Sequence, residues 1–252
     1  MRTITPHSQA TLQSLPWDSQ HFGFPVASLE GPELGDAELL ESLNAARRGQ
    51  VKLVYWAAAP GRAVSQPLLD EFGGLLVDRK ITFQVDLRAL GSDVRAVAAC
   101  RITKHSRGEP SPAVVRLAVA AGVYSRFRLD PRIPRLSFER LYENWIVRSV
   151  HGELADMVLI AGRDSSAGDP AGLITISVND GQGSIGLIAV DESARGCGIG
   201  RSLIHAAHRW LLRRQAQRVT VVTQLENVAA CRLYESCGYQ HADLRDRYHF
   251  WP

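Results

Sequence analysis

One short segment contains an apolar strand, a glycine loop and the start of a helix. It reads Leu187-Ile188-Ala189-Val190 and, after four more residues, Arg195-Gly196-Cys197-Gly198-Ile199-Gly200-Arg201. Alternating glycines allow a tight turn that brings successive backbone N–H groups to one point. The helix that begins there adds unpaired N–H donors and its positive dipole end, and the two arginines add charge. The segment therefore predicts a site for a phosphate or pyrophosphate rather than a turn that only connects two elements.

A second glycine pattern lies just upstream, in Gly181-Gln182-Gly183-Ser184-Ile185-Gly186. Its letters match the dinucleotide-binding motif G-x-G-x-x-G, but that motif needs a strand before it and a helix after it. Here a β-rich run follows, so we predict the turn of a β-hairpin. The sequence accordingly disfavours a nicotinamide or flavin enzyme.

The segment from Asn227 to Tyr239 has the pattern of a short helix ended by glycine. Asn227 is a good N-cap, and Gly238 suits the position just after the last helical turn. Tyr234 lies one turn before that end, beside an apolar face. Taken alone, these residues indicate a helix with a core tyrosine.

Together, the two segments resemble the GCN5-related N-acetyltransferases (GNAT). The family has an acetyl-CoA motif, Arg/Gln-x-x-Gly-x-Gly/Ala, and a later pattern, Asn-x-x-Ala-x-x-x-Tyr. In this chain they are filled, in order, by Arg195, Gly198, Gly200, Asn227, Ala230 and Tyr234. The resemblance extends over roughly residues 94–252.

The resemblance implies that acetyl-CoA is the cosubstrate and that no metal takes part. The cofactor contacts it implies are Leu187, Ile188, Ala189, Val190, Arg195, Gly196, Cys197, Gly198, Ile199, Gly200, Arg201, Asn227 and Ala230. The glycine loop would hold the CoA pyrophosphate. The backbone of residues 188–190 would pair with the pantetheine arm, and one N–H would polarise the thioester carbonyl. Tyr234 would be the general acid that protonates the departing thiolate.

A narrower resemblance, over most of the chain, is to the dTDP-fucosamine acetyltransferases of surface-polysaccharide synthesis. These enzymes acetylate the 4-amino group of dTDP-4-amino-4,6-dideoxygalactose. The resemblance is carried by Pro16–Gly23, Tyr124–Arg128, the helix through Phe138, Tyr142 and Trp145, and Asn227–Tyr234. It implies a nucleotide-linked amino sugar as acceptor, with Arg126 and Arg128 at the sugar nucleotide's pyrophosphate. The chain departs from the pattern at Leu233, where a basic residue would directly precede the tyrosine.

No motif identifies a general base, and a chain of water molecules could serve instead. His205 and His208, three residues apart on the predicted helix, are expected on its solvated polar face rather than as a metal pair. Two other functions stay open: an acetyltransferase for another small amine or a protein N-terminus, and a non-catalytic module that binds acetyl-CoA. The tyrosine at position 234 argues against the second, because a module that only binds has no use for an acid.

Composition and charge exclude several other classes of protein. The chain has 252 residues, of which 45% are hydrophobic, and a net charge of +3, so neither a disordered nor a nucleic-acid-coating chain is indicated. Its apolar runs are too short for a membrane span, and Met1–Leu15 lacks the apolar middle of a signal peptide. We expect a cytoplasmic protein with no nucleic-acid partner, and a homodimer stays open.

The periodicity predicts an α/β protein of two domains. Residues 1–93 would form a smaller N-terminal α/β domain. The resemblance implies that residues 94–252 form a GNAT domain with a mixed, mostly antiparallel sheet. Strands are expected at 25–30, 51–59, 75–87, 157–161, 172–178, 184–190, 219–224 and 247–251, and helices at 36–48, 66–72, 113–122, 137–150, 201–215 and 228–237. In the first long helix Leu39, Leu40 and Leu43 would share the buried side. The endings Leu68–Gly74 and Leu233–Tyr239 are similar, which suggests that the first domain is a degenerate half-repeat.

Overall fold

The computed structural model describes residues 11–90, 100–106, 108–162 and 169–252. The chain divides into two compact units. Unit 1 comprises the described residues up to Lys80 together with Leu129–Arg132 and Leu244–Pro252, and unit 2 comprises Ile81–Arg128 and Ile133–Asp243. The domain boundary expected between residues 93 and 94 lies outside the described residues and stays a prediction.

Unit 1 is built on a mixed sheet. Its elements are β1 (Thr11–Ser14), α1 (Pro16–Phe22), β2 (Val26–Glu30), α2 (Asp36–Arg48), β3 (Leu53–Ala58) and α3 (Gln66–Glu71), with parts of β4 (Leu75–Asp86) and β10 (Gln240–Phe250). The strand order is β1-β2-β3-β10-β4. Strands β2 and β3 are parallel, whereas β1 and β10 are antiparallel to their neighbours β2 and β3. The predicted strands and helices of this region are confirmed.

The core of unit 1 forms where α2 packs on the sheet. Leu39, Leu43 and Ala46 are fully buried in one cluster with Trp56 of β3. These three helix positions follow the i, i+4, i+7 spacing of a single helix face. The expected burial of Leu40 is wrong, since 41% of it is exposed. Consecutive helix residues differ by about 100° around the axis, which turns Leu40 away from the sheet.

Unit 2 also contains a mixed sheet. Its elements are β5 (Ile102–Lys104), α4 (Pro112–Ala121), α5 (Arg126–Leu129), α6 (Arg135–Val150), β6 (Met157–Ala161), β7 (Gly172–Asn179), β8 (Gln182–Val190), α7 (Ile199–Arg213), β9 (Arg218–Gln224) and α8 (Val228–Ser236). The strand order is β4-β9-β8-β7-β6-β5. Pairing is antiparallel from β5 through β8 and parallel between β8 and β9. The predicted α/β class and mixed sheet are confirmed.

The middle of this sheet is covered on both faces. The first five residues of β7, Gly172–Ile176, are all buried although their side chains alternate between the faces. Helices α4 and α7 both contact β7. No helix in the described part of the chain is long and apolar enough to cross a membrane.

The glycine pattern at 181–186 forms a hairpin, as predicted. Asn179 pairs with Gln182 across the turn, and Asp180 and Gly181 adopt positive φ angles of 46° and 73°. Two consecutive residues with positive φ make the tight hairpin turn whose twist matches that of the strands. Asp180 and Gly181 therefore connect β7 to β8, and residues 182–186 lie within β8 rather than in a nucleotide-binding loop.

Candidate active site

The two parallel strands of unit 2 separate part-way along their length. Their pairs run from Gln182 opposite Arg218 to Ile185 opposite Val221, and the pairing ends there. Both strands continue, β8 to Val190 and β9 to Gln224. The second half of β8 therefore presents one backbone edge to an opening rather than to a neighbouring strand.

A β-bulge marks the point where the strands separate. The register of β7 against β8 shifts between Ile174 and Ile176, which puts both Gly186 and Leu187 opposite Thr175. The Leu187 N–H donates to the Thr175 hydroxyl at 2.8 Å. A Cβ at position 186 would lie 2.9 Å from that hydroxyl oxygen, so only glycine fits without displacement. Bulges bend the strand that carries them, which accounts for the end of the pairing between β8 and β9 at this point.

The glycine loop leads from this opening into α7. A turn of 3₁₀ helix covers Glu192–Ala194, after which Gly196 and Gly198 take left-handed φ angles of 78° and 75°. Residues with a side chain rarely adopt such angles. Gly198 occupies the N-cap of α7 and has no side chain to cap it, so the N–H groups of the first turn stay available to an anion.

A cavity of about 480 Å³ lies against this loop. Of the predicted cofactor contacts, the following line it: Ile188, Ala189, Val190, Arg195, Gly196, Gly198, Ile199, Gly200, Arg201, Asn227 and Ala230. Leu187 is instead buried at the bulge, and Cys197 is exposed. The end of β8, the loop, the start of α7 and the start of α8 thus converge as the family resemblance implies, and the cavity has the donors that a CoA pyrophosphate requires. Which of these residues contact the cofactor stays a proposal.

Other residues that line the cavity are not among the contacts predicted from sequence. Ala120, Ala121, Val123 and Tyr124, at the end of α4 and just beyond it, line it together with Leu233 of α8. No motif marks the α4 residues. The one signal was that Tyr124 begins the segment that resembles the dTDP-fucosamine enzymes.

One residue from each motif holds the local structure of the site. The Asn227 side chain caps α8 by accepting from the Ala230 N–H at 3.3 Å, and its amide donates to the Thr223 hydroxyl at 3.3 Å. Gly200 lets α7 approach α8 closely, since a Cβ there would lie 2.9 Å from Leu233 Cδ2. Asn227 therefore serves as a cap in addition to lining the cavity.

Tyr234 lies in the last turn of α8 and is 2% exposed. Its ring packs against Phe83 and Tyr239, with centroids 5.5 and 5.8 Å apart. Burial, with lesser contributions from Cys231 and Cys237, raises the pKa of Tyr234 well above its ordinary value. The phenol therefore stays protonated at neutral pH, as a general acid must. Tyr234 is not among the residues that line the cavity, although its neighbour Leu233 is.

The predicted acceptor residues Arg126 and Arg128 lie on the short helix α5. Neither lines the cavity, whereas Tyr124, two residues before Arg126, does. Arg128 is exposed and Arg126 is half-buried. The role of both in binding the acceptor stays a proposal.

The prediction that His205 and His208 share a solvated face is wrong for His208. His208 is 1% exposed, and its Nε2 lies 2.8 Å from the Tyr239 hydroxyl. Tyr239, which follows α8 in the chain, covers His208 on α7. The periodicity of α7 could not predict this contact, because Tyr239 belongs to a different part of the chain. Burial and the neighbouring His205 lower the pKa of His208 to about 4, so the ring is neutral at pH 7. Among the described residues, no group of three or more His, Cys, Asp or Glu side chains is placed to hold a metal ion.

Two curated proteins show relevant similarity over long stretches. A dTDP-fucosamine acetyltransferase of Escherichia coli O6:H1 is 28% identical over 231 residues, which cover 91% of this chain and 93% of that protein. The spore coat polysaccharide biosynthesis protein SpsD of Bacillus subtilis is 28% identical over 149 residues, which cover 58% of this chain and 50% of that protein.

A solved structure shows the fold, and a family profile matches the part of the chain that contains the cavity. A crystal structure of a GCN5-related N-acetyltransferase from Sphaerobacter thermophilus superimposes with a TM-score of 0.58 at 18% identity, covering 96% of this chain and 76% of that one. The profile of the Acetyltransferase (GNAT) family matches residues 121–239, which include the bulge, the glycine loop, α7 and α8. Residues 121–239 therefore form a GNAT family domain, and the chain is an N-acetyltransferase of the GNAT type, a family that uses acetyl-CoA.

Proposed function

We propose that this enzyme transfers acetyl from acetyl-CoA to the 4-amino group of a dTDP-4-amino-4,6-dideoxyhexose of the fucosamine type, for surface-polysaccharide synthesis. The observation that carries the proposal is the similarity to a dTDP-fucosamine acetyltransferase over nearly the whole of both chains. The similarity to a second protein of polysaccharide synthesis supports the same substrate class.

The roles of the residues follow from the chemistry of acetyl transfer. The N–H groups at the start of α7, with Arg195 and Arg201, would bind the CoA pyrophosphate. The free edge of β8 at Ile188–Val190 would pair with the pantetheine amides, and one N–H there would stabilise the oxyanion. As the amine nitrogen bonds to the carbonyl carbon, the C–S bond breaks and the thiolate takes the proton of Tyr234. The proton released by the amine leaves to water, directly or through a chain of water molecules, and Tyr234 is reprotonated from solvent.

The acceptor would be held through its own pyrophosphate by Arg126 and Arg128. Arginine side chains donate charge-assisted hydrogen bonds to phosphate oxygens. They follow directly on Tyr124, a residue of the cavity wall. This arrangement would favour a nucleotide-linked amine over a free one.

The test is release of CoA thiol from acetyl-CoA with a panel of acceptors. The panel holds dTDP-4-amino-4,6-dideoxygalactose, its C4 epimer, the free amino sugar and unrelated amines including a peptide N-terminus. We expect turnover with the dTDP sugars and inhibition by dTDP alone. Turnover confined to unrelated amines would instead assign the enzyme to another acceptor.

A cytoplasmic location and the oligomeric state stay predictions.

A further inference from the structure

A buried contact joins the helix of the glycine loop to the residue that follows the tyrosine helix. His208 lies on α7, nine residues after the helix begins, and Tyr239 lies just beyond α8. Their side chains are 1% and 3% exposed, and the His208 Nε2 and Tyr239 oxygen are 2.8 Å apart. The rings are 5.5 Å apart at their centroids. This is a buried hydrogen bond between α7 and the short connection that follows α8.

Tyr239 is in turn fixed to Tyr234 in two ways. Its backbone N–H donates to the Tyr234 carbonyl at 3.1 Å, closing the end of α8. Its ring packs on the Tyr234 ring at 5.8 Å with an interplanar angle of 56°. Any shift of the Tyr239 side chain therefore moves a surface against which Tyr234 rests.

The chemistry of the pair suits a fixed support rather than a proton donor. Burial and His205 hold the pKa of His208 near 4, and burial raises the pKa of Tyr239, so both groups are neutral at physiological pH. A neutral hydrogen bond at this depth is costly to break from one side only, because the remaining polar atom has no water to replace its partner.

We propose that His208 and Tyr239 are positioning residues. Their hydrogen bond would fix the position of the Tyr234 side chain relative to the glycine loop. The inference rests on the proposed role of Tyr234 as the general acid. One end of α7 would bind the pyrophosphate, while the His208 side chain two turns along fixes the tyrosine pair. Because α7 would carry both the pyrophosphate site and His208, this helix would set the distance between the bound thioester and the Tyr234 hydroxyl. The rate of proton transfer depends steeply on that distance.

The test compares Tyr239→Phe, His208→Leu, the double variant and His208→Gln in steady-state kinetics and thermal unfolding. Each single apolar variant should lower kcat about tenfold and leave the KM for acetyl-CoA within about twofold. Each should also lower Tm, because one buried polar atom loses its partner. Gln can place either its amide nitrogen or its amide oxygen near the position of Nε2 and so can donate to or accept from the Tyr239 hydroxyl, and His208→Gln should recover most of the kcat.

The double variant separates positioning from stability. With both polar groups gone, no orphaned atom remains, and Tm should return toward the wild-type value. The support for Tyr234 is still missing, so kcat should stay low. If kcat instead recovers in step with Tm, or if both single variants keep the wild-type kcat, the proposal is overturned.

Tyr234→Phe in the same assay tests the acid role of Tyr234 separately from the positioning role of His208 and Tyr239. A large fall in kcat for Tyr234→Phe with unchanged kcat for Tyr239→Phe and His208→Leu would reject the positioning role alone. An unchanged kcat in Tyr234→Phe would reject the acid itself and the positioning role with it.

Discussion

At the scale of single residues, the first prediction concerns the proposed general acid, Tyr234. It is almost completely buried, and burial keeps its hydroxyl protonated. Tyr234→Phe removes only the hydroxyl and keeps the ring between Phe83 and Tyr239. We expect kcat to fall about 100-fold, the usual scale for one general acid, with the KM for acetyl-CoA unchanged.

The matched control is Tyr248→Phe. Tyr248 belongs to unit 1, and its hydroxyl donates to the Arg62 carbonyl. Its loss should cost some stability and leave kcat at the wild-type value. Equal losses of kcat in the two variants would show that the effect at position 234 is one of folding rather than of acid catalysis.

The second prediction at this scale concerns the charge beside the glycine loop. Arg201 lies in the first turn of α7 and lines the cavity. Arg201→Gln should raise the KM for acetyl-CoA about tenfold with kcat little changed, because a charge-assisted hydrogen bond to the pyrophosphate is lost. Arg213→Gln, in the last turn of the same helix, makes the same change in net charge and should have no effect. Similar KM values in both variants would contradict the anion site.

At the scale of elements, the site depends on a change of direction within β8. The pairing with β9 stops at Ile185, and the bulge opposite Thr175 follows immediately. Unit 1 offers a contrast: β2 and β3 are also parallel and joined by a helix, and the start of that helix, α2, is already occupied by carboxylates. The Glu38 side chain accepts from the Gly35 N–H, and Asp36 pairs with Arg62. The half-repeat hypothesis stays a prediction, and these acidic side chains disfavour the binding of an anion at the start of α2.

The third prediction tests the bulge. Thr175→Val keeps the shape of the side chain and removes the acceptor of the buried Leu187 N–H. We expect the free energy of unfolding to fall by about 1–3 kcal/mol, and the KM for acetyl-CoA to rise because the edge of β8 loses its fixed direction. Thr175→Ser retains the hydroxyl and should stay close to wild type in KM. Urea unfolding and initial rates measure both effects, and a normal KM in Thr175→Val would separate the bulge from cofactor binding.

At the scale of the whole molecule, His208 makes stability depend on pH. Its pKa is about 4 in the folded protein against an ordinary 6.5, so the unfolded chain binds more protons between these values. The stabilisation is complete above about pH 6.5 and is lost as the pH falls toward 4. The slope approaches about 1.4 kcal/mol per pH unit within that window.

This fourth prediction is checked by urea unfolding of the wild type and of His208→Gln at about pH 7 and pH 5. The wild type should lose about 2 kcal/mol more than the variant between the two conditions. His205, whose pKa is also lowered by burial and by Arg201 and Arg209, is common to both proteins and cancels in the difference. Equal losses would mean that His208 is not buried as a neutral ring.

The sequence by itself determined most of the helices and strands and the glycine loop, because both are local properties. Local features depend on residues within one or two turns of the chain, so their pattern can be recognised from the sequence alone. Examples are the spacing of Leu39 and Leu43, the cap at Asn227 and the glycines at 196 and 198. Only the tertiary structure decided which elements meet. It brought the end of α4 to the cavity, covered His208 with Tyr239, and turned β8 through a contact between Gly186 and Thr175, residues 11 positions apart. Contacts between distant parts of a chain depend on how the surfaces of helices and strands pack together. Periodicity identifies the apolar side of a helix or strand, but it does not identify the element that packs against that side.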